Sequence, residues 1–433
     1  MTITAWLAVA VFVVAYVFIA TEKIHRVTAA LGGAVLMLLI GATDAHNAFF
    51  SEEAGIDWHV IFLLLGMMLI VSVLKRTGVF EYVAIWSVKR ARGHPFRVMV
   101  ILVVVTALAS AVLDNVTTVL LIAPVTLLVC DRLGVPVAPF LIAEALASNI
   151  GGTATLVGDP PNIIIASRAG LSYNDFLVHL APIVALLLVV FIGLCRWLFR
   201  AAFTYDEERA AEVMLLNERD AIQDRRLLIV SGVVLIAVTI AFVLHTVLHL
   251  EPSVVAIVGG LVLLAASRLD TTDVAKDVEW PTLAFFAGLF VMVGALVSTG
   301  VIAQIGDAAA SAVEGRLWFA TMGLLWGSAV LSALVDNIPY VATMSPIVAQ
   351  LVEASGGSGT GPHVLWWALA LGADLGGNAT AVGASANVVI LGVAERAGRR
   401  ISFWQFTKYG LIVTVVTIAL CVPYLWLRYF AFA

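Results

Sequence analysis

One polar pair, set deep in apolar sequence, occurs twice in this chain at a fixed interval. Residues 110–124 read Ser-Ala-Val-Leu-Asp-Asn-Val-Thr-Thr-Val-Leu-Leu-Ile-Ala-Pro, and residues 332–346 read Ser-Ala-Leu-Val-Asp-Asn-Ile-Pro-Tyr-Val-Ala-Thr-Met-Ser-Pro. Ser110 and Ser332, Asp114 and Asp336, Asn115 and Asn337, and Pro124 and Pro346 all stand 222 residues apart. A carboxylate next to an amide is costly inside an apolar segment, and a repeated one needs a reason. In a membrane protein it points to a transport site built from two related halves.

The surroundings of the pair require a bilayer. Charged residues make up 12% of the chain and hydrophobic residues 62%, with a mean hydropathy of +1.05; soluble domains carry about 25% charged residues. Apolar runs recur near the roughly 20 residues that cross a membrane as a helix. Barrel strands would alternate apolar and polar residues, and these runs do not. The fold class is therefore an all-α polytopic membrane protein, multi-pass in the cell (inner) membrane. The net charge of −5 gives no sign of nucleic-acid binding. Cys130, Cys195 and Cys421 are scattered, forming neither a disulfide framework nor a metal cluster. The run from Ile3 to Ala20 lacks a basic n-region and a small-residue cleavage site, so it reads as a retained first helix.

The repeat extends beyond the motif. Trp58 matches Trp280, Gly66 matches Gly288, and Thr77-Gly78-Val79 matches Thr299-Gly300-Val301, all at 222. Gly151-Gly152-Thr153-Ala154-Thr155 then matches Gly376-Gly377-Asn378-Ala379-Thr380 at 225, and Gly158/Gly383 and Asn162/Asn387 keep that spacing. The shift fits a longer Gly- and Ser-rich loop at 354–362. The spacing predicts a first repeat over 1–200, a polar cytoplasmic linker over 201–226 and a second repeat over 227–433.

Each half reads as five spans plus one re-entrant hairpin. The spans are about 3–20, 28–44, 58–74, 137–168 and 176–199, then 227–248, 253–267, 281–298, 363–395 and 404–428. The hairpins cover about 97–131 and 317–351, with Asp-Asn at each tip. An odd number of spans inverts the second half relative to the first. Basic residues at 75–97, 196–226 and 396–400 then share the cytoplasmic side, and both termini lie outside. Counting hairpin arms as spans gives twelve helices instead. The polar centres of those segments favour hairpins.

Two elements carry the candidate chemistry. At the tips, Asp114, Asn115, Asp336 and Asn337 need water, an ion or a partner, though Asp and Asn also cap helices. Residues 151–162, Gly-Gly-Thr-Ala-Thr-Leu-Val-Gly-Asp-Pro-Pro-Asn, cannot be a continuous helix, so an unwound break at mid-membrane is expected there and at Gly376 to Asn387. A glycine kink for close packing is the plainer alternative. The half-sites are unequal: Asp159-Pro160-Pro161 becomes Ala384-Ser385-Ala386, Asn149 becomes Asp374, and Thr117 aligns with Pro339. Glu144 aligns with Leu369 and reads either as a proton carrier or as a Glu paired with a buried basic or hydroxyl group. Residues 79–93 read as an amphipathic helix at the cytoplasmic surface, serving as a membrane-surface anchor or, less simply, as a link between the first hairpin and a scaffold.

The segments SAVLDNVTTVLLIAP, ASNIGGTATLVGDPPNIII and GADLGGNATAVGASANVVI resemble the ion transporter superfamily, in the branch of the bacterial arsenite efflux permeases and the melanosomal P protein. The likeness spans nearly the whole chain. It implies two inverted repeats with tip-to-tip hairpins, a homodimer through a scaffold domain, and elevator-type alternating access. By the same resemblance, Asp114, Asn115, Thr117, Asn149, Gly152, Thr153, Asp159, Asp336, Asn337, Asp374, Gly377, Asn378 and Thr380 match substrate or ion positions. The proton-coupling candidates are Asp114, Asp336, Asp159, Asp374 and Glu144.

The leading functional expectation is a secondary transporter of a small inorganic ion, exporting arsenite or antimonite in exchange for protons. No organic cofactor is expected, and the coupling ion is H+ or Na+. The alternatives are a Na+/H+ antiporter, a sodium-coupled carboxylate or anion transporter, and an anion-conducting channel. The anion importer is disfavoured because the tips offer Thr117, Thr118 and Tyr340 but no Arg or Lys. No GxxxxGK[ST] segment occurs, so any ATPase would be a separate subunit. No H-E-x-x-H motif occurs either, which speaks against an intramembrane metalloprotease.

Overall fold

The computed structural model describes residues 1–433 apart from 22, 215–216, 314–315, 356–362 and 432–433, and apart from the side chains of 212, 213, 312 and 313. The described residues are helical and contain no strand. The first half runs α1 (Ile3–Thr21), α2 (Arg26–Leu39), α3 (Ala45–Phe50), α4 (Trp58–Lys75), α5 (Val79–Arg90), α6 (Pro95–Val112), α7 (Asn115–Leu133), α8 (Val137–Gly152), α9 (Pro160–Ala169), α10 (Tyr173–His179) and α11 (Ala181–Leu198). A linker holding α12 (Glu207–Met214) follows. The second half runs α13 (Arg225–Leu248), α14 (Pro252–Ser267), α15 (Thr271–Asp277), α16 (Trp280–Ser298), α17 (Val301–Val313), α18 (Leu317–Leu334), α19 (Asn337–Ala354), α20 (Val364–Gly376), α21 (Ser385–Arg396) and α22 (Phe403–Tyr429).

The order of elements repeats, and so does their packing. Helix α4 packs on α14, as α16 packs on α2. Hairpin arm α6 packs on α8, as α18 packs on α20. Arm α7 meets α21 of the other half, as α19 meets α9. Each half therefore completes its contacts with the other, which two independently folded domains would not do.

Among the described residues, nine helices are long and apolar enough to cross a membrane, among them three of the four hairpin arms, α6, α7 and α18. Four expected spans are built on shorter helices: α2, α8, α14 and α20. The span expected over 176–199 divides at Leu180, where Pro182 opens α11. The exposed face of α13 is Ile229, Val233, Ile236 and Ile240, spaced by three or four residues and more than half exposed. Such a stripe needs an apolar neighbour, lipid or another chain, in place of water. Helix α20, in contrast, is buried at every residue from Val364 to Gly376, and α8 is buried from Phe140 to Gly152. Helices wrapped by protein on all sides can end at mid-depth, because neighbouring protein replaces water as the partner of their freed backbone groups.

The linker is more than a tether. Lys89 Nζ meets Glu218 Oε2 at 2.6 Å, Gln223 N donates to Thr77 O at 3.0 Å, and α12 packs on α5 and α7. Helix α5, expected as a surface anchor, buries Ala84, Ser87 and Val88 and is held between the linker and the first hairpin. The longer loop expected at 354–362 lies mostly outside the described residues.

Candidate functional site

Both expected breaks form. Helix α8 ends at Gly152 and α9 starts at Pro160; a 3-10 turn over Gly377–Ala379 ends the helical path of α20 before α21 starts at Ser385. The glycines allow the hairpins to press onto these breaks. A Cβ on Gly151 would lie 2.2 Å from Ala107 O, and one on Gly376 would lie 2.6 Å from Ala329 Cα. The kink-for-packing reading and the unwound-break reading therefore both hold: close approach at Gly151 and Gly376 positions the unwinding beyond them.

Matching hydrogen bonds lock each hairpin to its break. Ser110 Oγ donates to Ser148 O at 2.7 Å, and Ser332 Oγ donates to Ala373 O at 2.6 Å. Thr155 Oγ1 donates to Ala111 O at 2.5 Å, and Thr380 Oγ1 donates to Ala333 O at 2.6 Å. Across the breaks, Asn162 Nδ2 donates to Thr155 O at 3.0 Å and Asn387 Nδ2 to Thr380 O at 2.9 Å. Thr380 is thus a fastening residue, with its hydroxyl directed to the hairpin backbone.

At the tips, the aspartates face their own helices. Asp114 Oδ1 accepts from Thr117 N at 2.9 Å, and Asp336 Oδ1 accepts from Ile338 N at 3.1 Å. Capping therefore occupies one oxygen of each, as Asp at a helix start does elsewhere. The asparagines reach the centre. Asn115 Nδ2 donates to Asp159 Oδ2 at 2.8 Å and to Asn149 Oδ1 at 3.2 Å. Asn337 Nδ2 approaches the Asp159 carboxylate oxygens at 3.3 and 3.4 Å. Asn149 Nδ2 continues the network to Asn378 Oδ1 at 2.9 Å and Asn387 Oδ1 at 3.1 Å. Asp374 lies beside Asp159, with Thr153 and Asn162 alongside it. Asn149, Asp159, Asp374 and Asn378 are all fully buried. Gly152 and Gly377 contribute close backbone: a Cβ on either would lie within 3 Å of Gly158 O or Gly383 O.

Two residues fall outside this cluster in different ways. Glu144 sits between α7 and α8, where Thr126 Oγ1 donates to its Oε1 and its Oε2 accepts nothing. It satisfies the hydroxyl-paired reading on one oxygen only. The other residue escaped the sequence. Arg26, the first residue of α2, donates from Nη1 to Ser385 Oγ at 2.8 Å and lies 3.8 Å from Asp336 Oδ2. Asp336 also takes a hydrogen bond from Ser385. The expectation that the tips lack a basic group is corrected: the guanidinium comes from a helix some 300 residues earlier in the chain, and sequence spacing carries no signal for it. A narrow cavity at this contact is lined by Arg26, Asp114, Glu279 and Pro160. It abuts, at Ile163, a cavity of about 410 Å³ that follows α4 and α9 to His59, His245 and Glu251.

Two hairpins closing on two broken helices, with buried carboxylates and amides at the junction, define a secondary transporter of the membrane, not an enzyme. Residues 16–372 match the model of the citrate transporter family CitMHS, and the chain belongs to that family. It is 59% identical to an uncharacterized transporter of Mycobacterium tuberculosis over 427 residues, covering 98% of this chain and 99% of that one. It is 32% identical to the human P protein over 495 residues, covering 96% of this chain and 59% of the P protein. Its fold resembles the Alcanivorax borkumensis YdaH transporter, with a TM-score of 0.62 at 14% identity over 98% of each chain.

Proposed function

We propose that the protein is a cation-coupled secondary transporter of a small anion, working by elevator-type alternating access. The observation that carries this reading is the meeting of Asn115 and Asn337, one from each hairpin tip, on the single buried carboxylate of Asp159. A site fastened to both hairpins moves only if they move together. In this reading the hairpins, α8–α11 and α20–α22 form the moving unit, and α1, α2, α4, α13, α14 and α16 form the scaffold and the homodimer contact.

Anion transport gains weight from Arg26, whose side chain is 35% exposed and lies at the scaffold edge of the second tip. Guanidinium suits carboxylates and oxyanions, and the description of the family as citrate transporters agrees in kind. Asp114, Asp336 and Glu279 nearby would repel an anion arriving alone, which favours a cation travelling with it. Proton-driven efflux of arsenite or antimonite draws separate support from the centre, which offers oxygens and amides but no thiol: Cys130 is buried near the far end of α7, and Cys195 and Cys421 are buried in α11 and α22.

Sidedness supports two inverted repeats in the cell membrane. With the linker in the cytoplasm, 21 of the 24 Lys and Arg residues fall on that side, and Arg168, Arg316 and Arg428 on the other, as the positive-inside tendency requires. The test is flux in proteoliposomes, comparing citrate, a dicarboxylate and arsenite under imposed Na+ or pH gradients. Anion accumulation driven by a cation gradient is expected. Downhill anion flux indifferent to every gradient would establish a channel instead, and gradient-driven arsenite flux alone would establish the efflux reading.

A further inference from the structure

Arg196 and Arg200 stand at the linker end of α11 with no anion to meet. Among the described residues neither side chain forms an ion pair or a hydrogen bond; Arg196 lies over the Phe96 ring, 4.9 Å from its centre. Both line an open groove of about 660 Å³ together with His94, Trp197 and Tyr205, and no carboxylate is among its walls. Asp206, the acid that follows in sequence, is turned to Arg209 at 3.4 Å. Helix α6 starts in the same groove at Pro95, and no side chain caps it. A long helix that starts uncapped adds positive potential to that of the two guanidinium groups. Ring contacts set the walls: His94 stacks on Tyr205 at 4.4 Å, and Phe96 meets Phe203 edge-on at 5.2 Å.

The groove continues into the membrane. Leu186, Val189, Gly193 and Trp197 succeed one another at three or four residues along one face of α11, and the three side chains are more than half exposed. Gly193 makes a notch in this face, since a Cβ there would meet nothing within 4 Å. Trp197 sits at the apolar-to-cationic boundary, where tryptophan marks the membrane interface. A soluble anion would use the cationic end alone, and an acidic protein segment would find half of the groove apolar.

We propose that this groove binds one anionic phospholipid of the cytoplasmic leaflet, with its phosphodiester between Arg196 and Arg200 and an acyl chain along Gly193 and Val189. Guanidinium groups match phosphate oxygens in planar, two-bond geometry, and basic pockets beside membrane helices on the cytoplasmic side suit such headgroups. With the linker in the cytoplasm, the groove opens to that leaflet. The bound lipid bridges three segments: the start of the first hairpin at α6, the end of α11, and the head of the linker at 203–205. The site is separate from the junction of tips and breaks and stands whatever the cargo is.

The test is native mass spectrometry of the full-length, delipidated protein in detergent, titrated with phosphatidylglycerol or with phosphatidylcholine of the same chains. One phosphatidylglycerol per chain is expected, preferred about 25-fold, which is about fivefold for each arginine near a lipid phosphate. The double variant Arg196→Gln with Arg200→Gln should lose that preference. Gly193→Leu fills the notch with both charges intact and should weaken both lipids severalfold; because it points away from the protein, it keeps the test open if the double variant does not fold. Arg225→Gln with Arg226→Gln, two exposed arginines elsewhere on the same side, should change nothing. Equal binding of the two lipids would overturn the proposal. So would a preference that survives loss of Arg196 and Arg200, an equal loss in the Arg225 and Arg226 variant, or unchanged binding in Gly193→Leu. Displacement of the lipid by equimolar glycerol phosphate, the headgroup without chains, would assign the groove to a soluble anion instead and overturn it as well.

Discussion

Asn149 and Asn378, one from each half of the chain, are joined side chain to side chain at 2.9 Å with both residues fully buried. The same Asn149 accepts from Asn115 and donates to Asn387. One amide therefore ties the first hairpin tip to the second break. Asn149→Ala should strand several buried groups at about 1–3 kcal/mol each. A lower melting temperature together with loss of coupled transport is expected; a melting temperature within error of the parent would remove Asn149 from the junction.

Arg26 makes a different prediction. Its ion pair with Asp336 is partly exposed, so its worth to stability is at most about 1 kcal/mol. Arg26→Gln should leave the melting temperature nearly unchanged yet raise KM for the anion about tenfold or more. Equal KM values for parent and variant would return the tips to a site without a basic group.

The glycines separate close approach from mere flexibility. Gly151→Ala and Gly376→Ala each place a methyl group against backbone within 2.6 Å, and overpacking of this kind costs about 1–3 kcal/mol. Gly32→Ala meets nothing within 4 Å, and in mid-helix should stabilise by about 1 kcal/mol. Thermal unfolding of the three variants side by side checks the ranking, and destabilisation by Gly32→Ala would contradict it.

The linker contact should depend on pH. A hydrogen bond from Lys89 holds the Glu218 carboxyl below its ordinary value of 4.5. The bridge contributes fully above that ordinary value and is lost as pH falls through the lower folded value. Proteolysis within 205–224 should therefore accelerate in acid, and Glu218→Gln should cleave faster at neutral pH with a flatter pH dependence. Identical pH profiles for the two proteins would show that another contact holds the linker.

Inversion can be read by labelling. Arg132 and Arg316 stand at the bases of the two hairpins, both exposed, and the three native cysteines are buried. Arg132→Cys should react with a membrane-impermeant maleimide only from the cytoplasmic side, and Arg316→Cys only from outside. Reaction from the same side would end the inverted-repeat topology.

The positions of both breaks and both tips were legible in the sequence, because glycine, proline and paired polar residues at a constant interval have few other uses in apolar helices. Asp114 and Asp336 drew attention first, and the fold gives each an oxygen-capping task at its own helix start. The amides beside them, Asn115 and Asn337, make the central contacts, since a residue one step into the helix projects from it while the capping residue folds back. Arg26 was invisible: an arginine after Lys23 and His25 reads as an ordinary membrane-edge cluster until α2 is seen to begin beside Ser385.

By itself, the sequence determined a helical membrane protein of two related halves and the chemical inequality of those halves, since hydropathy, helix-breaking residues and internal repetition are properties of the chain. Tertiary structure alone decided which polar atoms share one buried volume. Asp159 and Asp374 lie 215 residues apart, and only the packing of each half against the other buries both in one volume beneath the two hairpin tips.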